Sequence, residues 1–130
     1  MTCPDPRSGP DPSSGPDPSR PGPSGPGRGH LLPASSSPVH GEVHHQLVST
    51  AGMEILQVLS GELDGPVDYL QDHDEWALVV SGSASLLVGS ELLELGSGDW
   101  AWLPAGTPHR LVRTEPGTSW VTVHARTPAH

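Results

Sequence analysis

The sequence predicts an all-β fold from three observations: short apolar runs, regular turn signals between them, and the absence of a sustained helical period. Most runs are four to seven residues long. The predicted strands are residues 43–48, 53–59, 67–71, 76–80, 84–88, 92–95, 100–103, 109–113 and 120–124. Only residues 53–59 also fit a helix. Many short strands with regular turns are typical of a β-sandwich or barrel.

The turns between these strands carry residues that end a strand for physical reasons. Glycine reaches backbone angles that other residues avoid, and proline removes a hydrogen-bond donor from the chain. In chain order the turns are Ser60-Gly61, Asp64-Gly65-Pro66, Ser81-Gly82-Ser83, Gly89-Ser90, Gly96-Ser97-Gly98 and Glu115-Pro116-Gly117. A helix is hard to place among so many breakers, which favours strands throughout the domain.

Composition divides the chain at about residue 39. Eleven of the 16 prolines lie before that point. The only aliphatic residues larger than alanine in that segment are Leu31 and Leu32. Such a segment cannot bury enough apolar surface to offset the entropy of ordering its backbone. We therefore expect a disordered Pro/Gly/Ser-rich tail over residues 1–38, a domain over 42–125 and a flexible C-terminus over 126–130. A linker is the simplest role for the tail, and a ligand for a Pro-recognition domain is the alternative.

Charge and cysteine content exclude several classes of function. From residue 39 onward there are twelve acidic residues and three arginines, so the domain carries the whole net charge of −9. Such a surface would repel a phosphate backbone or an anionic membrane. The single Cys3 allows no intrachain disulfide, and no segment is typical of a signal peptide or a membrane span. We expect a cytoplasmic protein without nucleic-acid or membrane partners.

Two stretches carry more specific information than the strand pattern. The first runs from Gly98 through a short strand to the turn Pro104-Ala105-Gly106 and then to His109. The turn lets the strand that begins at His109 return alongside the preceding one. In the second stretch, Glu75 opens an apolar strand that ends at the turn containing Gly82. A carboxylate on a strand that faces a barrel core needs a partner.

These stretches resemble the two motifs of the cupin superfamily. The second cupin motif is Gly, five residues, Pro-x-Gly, two residues, His, three residues, Asn. The sequence matches it from Gly98 to His109, and Arg113 stands in place of the Asn. The resemblance implies a single small barrel of the jelly-roll type.

The first cupin motif is matched in part. Glu75 and Gly82 stand at the family's spacing, while Tyr69 and Gln71 occupy the two positions of its His-x-His pair. The sequence is similar in this respect to a group of small single-domain bacterial cupins with a Tyr-x-Gln-x-x-x-Glu first motif. Tyr69 and Gln71 are two residues apart and therefore share one face of their strand.

In metal-binding cupins these positions hold a divalent ion. Carried over residue by residue, the candidate ligands are Tyr69, Gln71, Glu75 and His109. The metal would be iron, manganese, nickel or zinc. An amide oxygen is a poor ligand for such ions, and tyrosine binds them well only as phenolate. The resemblance therefore implies one divalent transition metal or none.

Further residues are candidates for the pocket wall. They are His73, His124, Trp102 and Arg113. Three of them have an alternative role: His73 and His124 fit a surface position, and Trp102 fits core packing or a dimer contact. His109 itself fits a core histidine held by a neighbour as well as a ligand.

Three functions follow from the resemblance. The replacement of the His-x-His pair by Tyr69 and Gln71 places binding above catalysis. The first is a binding module that takes a small polar molecule into the barrel, with or without a metal. The second is a metal-dependent enzyme of the dioxygenase, isomerase or lyase type, in which the ion activates the substrate. The third is a barrel without a site that supports assembly, since small cupins often form homodimers. The ranking rests on family analogy, because fold alone does not fix function.

Overall fold

The computed structural model of the protein describes residues 25–126, which contain nine strands, a short 3-10 helix at Ala34–Ser36 and no α-helix. The strands are β1 (Glu42–Ser49), β2 (Met53–Ser60), β3 (Val67–Tyr69), β4 (Glu75–Ser81), β5 (Ser83–Val88), β6 (Glu91–Gly96), β7 (Trp100–Leu103), β8 (His109–Thr114) and β9 (Thr118–Ala125). The predicted all-β fold is confirmed, and the ambiguous residues 53–59 lie in strand β2. Within 25–126, no helix is both long enough and apolar enough for a membrane crossing.

The strands form two antiparallel sheets. One has the order β1-β2-β9-β4-β7 and the other has the order β3-β8-β5-β6. Because side chains alternate along a strand, each sheet turns one set inward and the other outward. The buried core between the sheets contains Val58, Ala77, Val79, Ala84, Leu86, Leu95, Ala101, Leu103, Leu111 and Trp120. This core supports the strand ends that carry the candidate site.

Gly82 joins β4 to β5 at a point where no side chain fits. Its φ is +98°, and an added Cβ would lie 2.8 Å from the Cα of Thr118. Glycine tolerates both the positive φ and the close approach. The glycine that ends the first motif is therefore required by the packing of β9 against this turn.

The segment before β1 contacts the outer face of the first sheet. The N–H of Leu32 donates to Oε1 of Gln57 at 2.8 Å, and Nε2 of Gln57 donates to the carbonyl of Leu32 at 3.0 Å. Gln57 is fully buried and also donates to Oγ of Ser119. Leu32, which lies in the segment predicted as a disordered tail, thus contacts the domain through its backbone polar groups.

Other parts of the predicted boundaries stay predictions. Residues 1–24, which make up most of the expected disordered tail, lie outside the described residues, and so do residues 127–130. Residues 42–125 coincide with the span from the first residue of β1 to the last residue of β9.

Candidate functional site

A cavity of about 1080 Å³ opens between the two sheets. Its apolar wall comes from inward-facing strand residues, among them Leu56, Val58, Leu86, Leu103, Leu111 and Trp120. Its polar wall includes six of the eight predicted site residues: Tyr69, Gln71, Glu75, His109, His73 and His124. The structure therefore brings together side chains that are far apart in the sequence.

Strand pairing explains why the four residues of the predicted metal set meet. Tyr69 at the end of β3 is the register partner of His109 at the start of β8. Glu75 at the start of β4 is the partner of His124 in β9. Gln71 follows β3, and its backbone carbonyl accepts a hydrogen bond from the N–H of Gly106 at 2.8 Å. The turn of the second motif thus holds the first motif in place.

His109 is buried, and its hydrogen bond selects one tautomer. Its Nδ1 lies 3.1 Å from the carbonyl oxygen of Thr107, which can only accept. In the neutral ring the proton is therefore on Nδ1, and Nε2 carries a lone pair. His109 is 7% exposed and lines the cavity, so in the neutral ring Nε2 can accept a hydrogen bond from a molecule bound there.

Tyr69 is held as a neutral phenol. Its hydroxyl donates to Oε1 of Glu42 at 3.2 Å, and its ring stacks on the imidazole of His109. Burial raises the pKa of the phenol, and the nearby carboxylates of Glu42 and Glu75 raise it further. Ionisation to a phenolate is therefore strongly disfavoured in this site.

Glu75 and Gln71 place hydrogen-bond acceptors in the site without a donor. Oε1 of Gln71 is buried and has no hydrogen-bond partner among residues 25–126. Glu75 is 8% exposed, and no described side chain donates a hydrogen bond to its carboxylate. The closest ionisable partner of Glu75 in that range is Nε2 of His124 at 3.9 Å. Unpaired buried acceptors are uncommon in folded proteins, which makes Oε1 of Gln71 an exception among the described residues. The carboxylate oxygens of Glu75 are accessible from the cavity and can accept hydrogen bonds from a molecule bound there.

The two histidines of the pocket form a hydrogen-bonded pair at its edge. Nε2 of His73 lies 2.9 Å from Nδ1 of His124, and Nε2 of His124 lies 3.0 Å from Oγ1 of Thr122. Burial lowers the pKa of His124; the carboxylate of Glu75 opposes this effect and His73 adds to it. This pair occupies the ring nitrogens of His124, which leaves them engaged before a ligand arrives.

Trp102 and Arg113, which the sequence analysis assigned to the pocket wall, are not among the residues that line the cavity. Alternation along β7 turns Ala101 and Leu103 inward, so Trp102 points outward and is 53% exposed. Arg113 is exposed because the pairing of β5 with β8 shifts register: Leu86 opposes Leu111, but the preceding residue of β5 opposes Arg113. This bulge at Val112 reverses the faces beyond it.

Glu42 is a site residue that the sequence analysis missed. Its carboxylate accepts hydrogen bonds from Oγ of Ser60 at 2.7 Å and from the Tyr69 hydroxyl. Oγ of Ser60 in turn accepts from Nε1 of Trp120 at 3.2 Å. Glu42 lies in β1, outside both motifs, so no local pattern marks it. The alternation of Glu42 with His44, which also lines the cavity, is the only signal that the sequence offers.

The donor set fits a tightly held transition metal poorly. Glu75 and His109 are common ligands, but the Gln71 amide is a poor one and the Tyr69 phenol stays protonated and bonded to Glu42. Within residues 25–126, no three His, Cys, Asp or Glu side chains are arranged to hold an ion. We therefore derive no chemistry through a metal.

Comparisons with known proteins agree with this architecture. A family model described as a cupin domain matches residues 54–124. Comparison with curated proteins gave no match.

Solved structures with the same fold come from several bacteria. A provisionally named mannose-6-phosphate isomerase from Ralstonia eutropha JMP134 is 30% identical with a TM-score of 0.66, and the match covers 78% of this chain and all of that one (100%). KdgF from Halomonas sp. is 22% identical with a TM-score of 0.58, covering 69% and 81% of the two chains. An RmlC-like cupin from Shewanella frigidimarina NCIMB 400 is 16% identical with a TM-score of 0.57, covering 79% and 94%. Because the family model spans more than half of the sequence, the chain belongs to the cupin family.

Proposed function

We propose that the protein binds a small polar molecule in the cavity between its two sheets and does so without a tightly held transition metal. One observation carries this proposal. The side chain of Glu75 lines the cavity, is nine-tenths buried, and has no hydrogen-bond donor among the side chains of residues 25–126. A ligand that donates to this carboxylate gains a charge-assisted hydrogen bond, which is stronger than one between neutral groups.

The shape of the cavity supports this function. Its volume of about 1080 Å³ is close to the upper end of the range for small-molecule sites, roughly 300–1000 Å³. Such sites combine an apolar lining with a few polar groups that orient the ligand. Here the residues of both sheets form the apolar part, and Glu75, Gln71 and His109 form the polar part.

A sugar isomerase is the second candidate, because the Ralstonia protein of that provisional name is 30% identical. The charges of the site disfavour a phosphorylated sugar. Arg126 is the only Arg or Lys among the cavity-lining residues in the described part of the chain, and it lies 3.8 Å from Glu54. We expect no turnover of mannose 6-phosphate or mannose; turnover of either would favour the enzyme over the binding protein.

A thermal-shift screen tests the binding function directly. The compounds should span sugars, amines, carboxylic acids and phosphates, and we expect at least one to raise the melting temperature by roughly 2 °C or more. Glu75→Gln and His109→Ala should abolish that shift. Glu91→Gln, a change at an exposed carboxylate of β6, is the matched control and should retain it.

Two results would overturn the proposal. One is a screen in which no compound shifts the parent protein, and the other is a shift that both pocket variants retain in full. Elemental analysis of protein purified by ion exchange tests the metal separately, and we expect less than about a tenth of an equivalent. A cytoplasmic location and a homodimer stay predictions.

A further inference from the structure

We propose that the ligand of this cavity is a small organic cation, in which an ammonium, amidinium or guanidinium group is attached to an apolar body. This inference rests on the proposed function and adds the chemical class of the ligand. Its basis is the charge of the polar wall, in which four carboxylates line the cavity and the nearly buried Glu75 has no side-chain donor among residues 25–126.

Two acceptors line the cavity, and a third is buried beside it. Glu75 contributes a carboxylate on a side chain that is nine-tenths buried, with no side-chain donor in the described range. In its neutral form His109 contributes Nε2, because its Nδ1 faces the carbonyl oxygen of Thr107. Oε1 of Gln71 is buried and lacks a partner among those residues. A ligand that pairs with Glu75 and His109 must bring N–H or O–H donors.

Several donors in the polar wall are committed within the protein. The hydroxyl of Tyr69 donates to Glu42, and Nε1 of Trp120 donates to Oγ of Ser60. The ring nitrogens of His124 are occupied by His73 and Thr122. The amide N–H groups of Gln71 and the ring of His44 also line the cavity, so the choice between a cation and an anion rests on charge.

Charge favours a cation over a neutral donor. Four carboxylates line the cavity, at Glu42, Glu54, Asp72 and Glu75. Against them stands Arg126, whose guanidinium already donates to Oγ of Ser49 at 2.6 Å. Opposite charges attract strongly where water is excluded, so a cation beside Glu75 gains more than an alcohol does.

The apolar lining defines the rest of the ligand. The inward side chains of Leu56, Leu86, Leu103 and Leu111 lie in the same cavity as the acceptors. They offer no hydrogen bonds and exclude water from whatever lies against them. A ring or a branched alkyl group would fill this part, whereas a fully hydrated inorganic cation would leave it unused.

Matched probes on the full-length protein test the charge of the head group. Benzylamine, benzyl alcohol and benzoate share one ring, and cyclohexylmethylamine, cyclohexylmethanol and cyclohexanecarboxylate share another. Titration calorimetry should show each amine binding at least about tenfold more tightly than its alcohol. We expect the two carboxylates to show no binding.

Variants connect that preference to the acceptors. Glu75→Gln keeps the shape of the side chain and should bring the amine-to-alcohol ratio close to one. Gln71→Glu adds a carboxylate at the same wall and should increase the ratio, which gives a second readout if Glu75→Gln fails to fold. Glu91→Gln on the exposed face of β6 should leave it unchanged.

The outcomes separate this inference from the proposed function. If an amine and its matched alcohol bind equally and both depend on Glu75, the inference that the ligand is a cation is wrong. The proposed binding function is unaffected by that result. Preferred binding of the carboxylates, or binding of none of the six probes, also overturns the cation, while the thermal-shift screen decides the binding function by itself. Displacement of the amine by one equivalent of Mn²⁺ or Zn²⁺ would overturn both the organic cation and the metal-free site.

Discussion

The imidazole of His109 stacks on the phenol ring of Tyr69, with ring centroids 5.4 Å apart and 15° between the ring planes. Register pairing of β3 with β8 produces this contact. It joins the degenerate first motif to the well-matched second one. The phenol is anchored by Glu42 and the imidazole by the Thr107 carbonyl, so neither ring is free to turn. Four predictions follow from this contact and from other contacts described above.

The phenol of Tyr69 should resist ionisation far above the usual range. Burial raises its pKa the most, and the charges of Glu42 and Glu75 raise it further, whereas an ordinary tyrosine titrates near 10. Because the folded-state pKa is raised, this group stabilises the fold fully below pH about 10, and that contribution is lost as pH rises further. Tyr69 is the only tyrosine in the chain, so the increase in absorbance at 295 nm with pH reports its ionisation above the constant background of the four tryptophans.

Glu42→Gln is the companion variant for the tyrosine titration. Removing the carboxylate should move the phenol transition to lower pH, although burial keeps it above that of free tyrosine. Half-ionisation of Tyr69 near pH 10 in the folded parent protein would contradict the arrangement of its ring described above.

Protonation of His124 should destabilise the folded protein. Burial lowers its pKa below the ordinary value near 6.5, so the unfolded chain binds the proton more readily. Stability linked to this group is therefore present above pH 6.5 or so and is lost as pH falls towards the folded-state pKa. Chemical denaturation at pH 7.5 and 5.5 measures it. His124→Gln should show a smaller loss between the two pH values than the parent, and an equal or larger loss would refute the assignment.

Gln57→Ala should destabilise the protein by about 2–4 kcal/mol, because it removes buried packing and leaves polar groups unpaired. The amide of Gln57 bonds both backbone groups of Leu32 and Oγ of Ser119. Urea denaturation of the full-length protein provides the measurement. Gln46→Ala at an exposed position of β1 is the control and should change stability by less than about 0.5 kcal/mol. Similar effects of the two variants would show that the Leu32 contact contributes nothing.

Gly82→Ala should cost at least about 2 kcal/mol, because the new Cβ would meet Thr118 at a positive φ. Thermal and urea denaturation both report the change. Gly52→Ala supplies the matched control, since Gly52 has open space around it. A Gly82→Ala protein as stable as the Gly52→Ala protein would mean that the β4–β5 turn adapts to a side chain.

Local pattern predicted the strands well because alternation and turn residues act within a few positions. Strand pairing between distant segments determined which side chains face the cavity, and the local pattern carries no information on that pairing. The bulge at Val112 turns Arg113 outward, and it is visible only in the register of β8 against β5. Glu42 in β1 accepts a hydrogen bond from Tyr69 in β3, and no sequence motif includes both residues. The subgroup with a Tyr-x-Gln-x-x-x-Glu first motif stays a prediction.

The last described residues belong to the cavity, whereas the contact that precedes β1 lies on the opposite face of the sheet. Ala125 and Arg126 line the cavity, and Leu32 is bound to Gln57, which lies between the cavity-lining residues Leu56 and Val58 and so faces the other way. A polyhistidine tag joined after residue 130 would be tethered only four residues beyond Arg126, and its imidazoles and ions would compete in metal and amine titrations. A tag that is cleaved off before these titrations avoids that artefact.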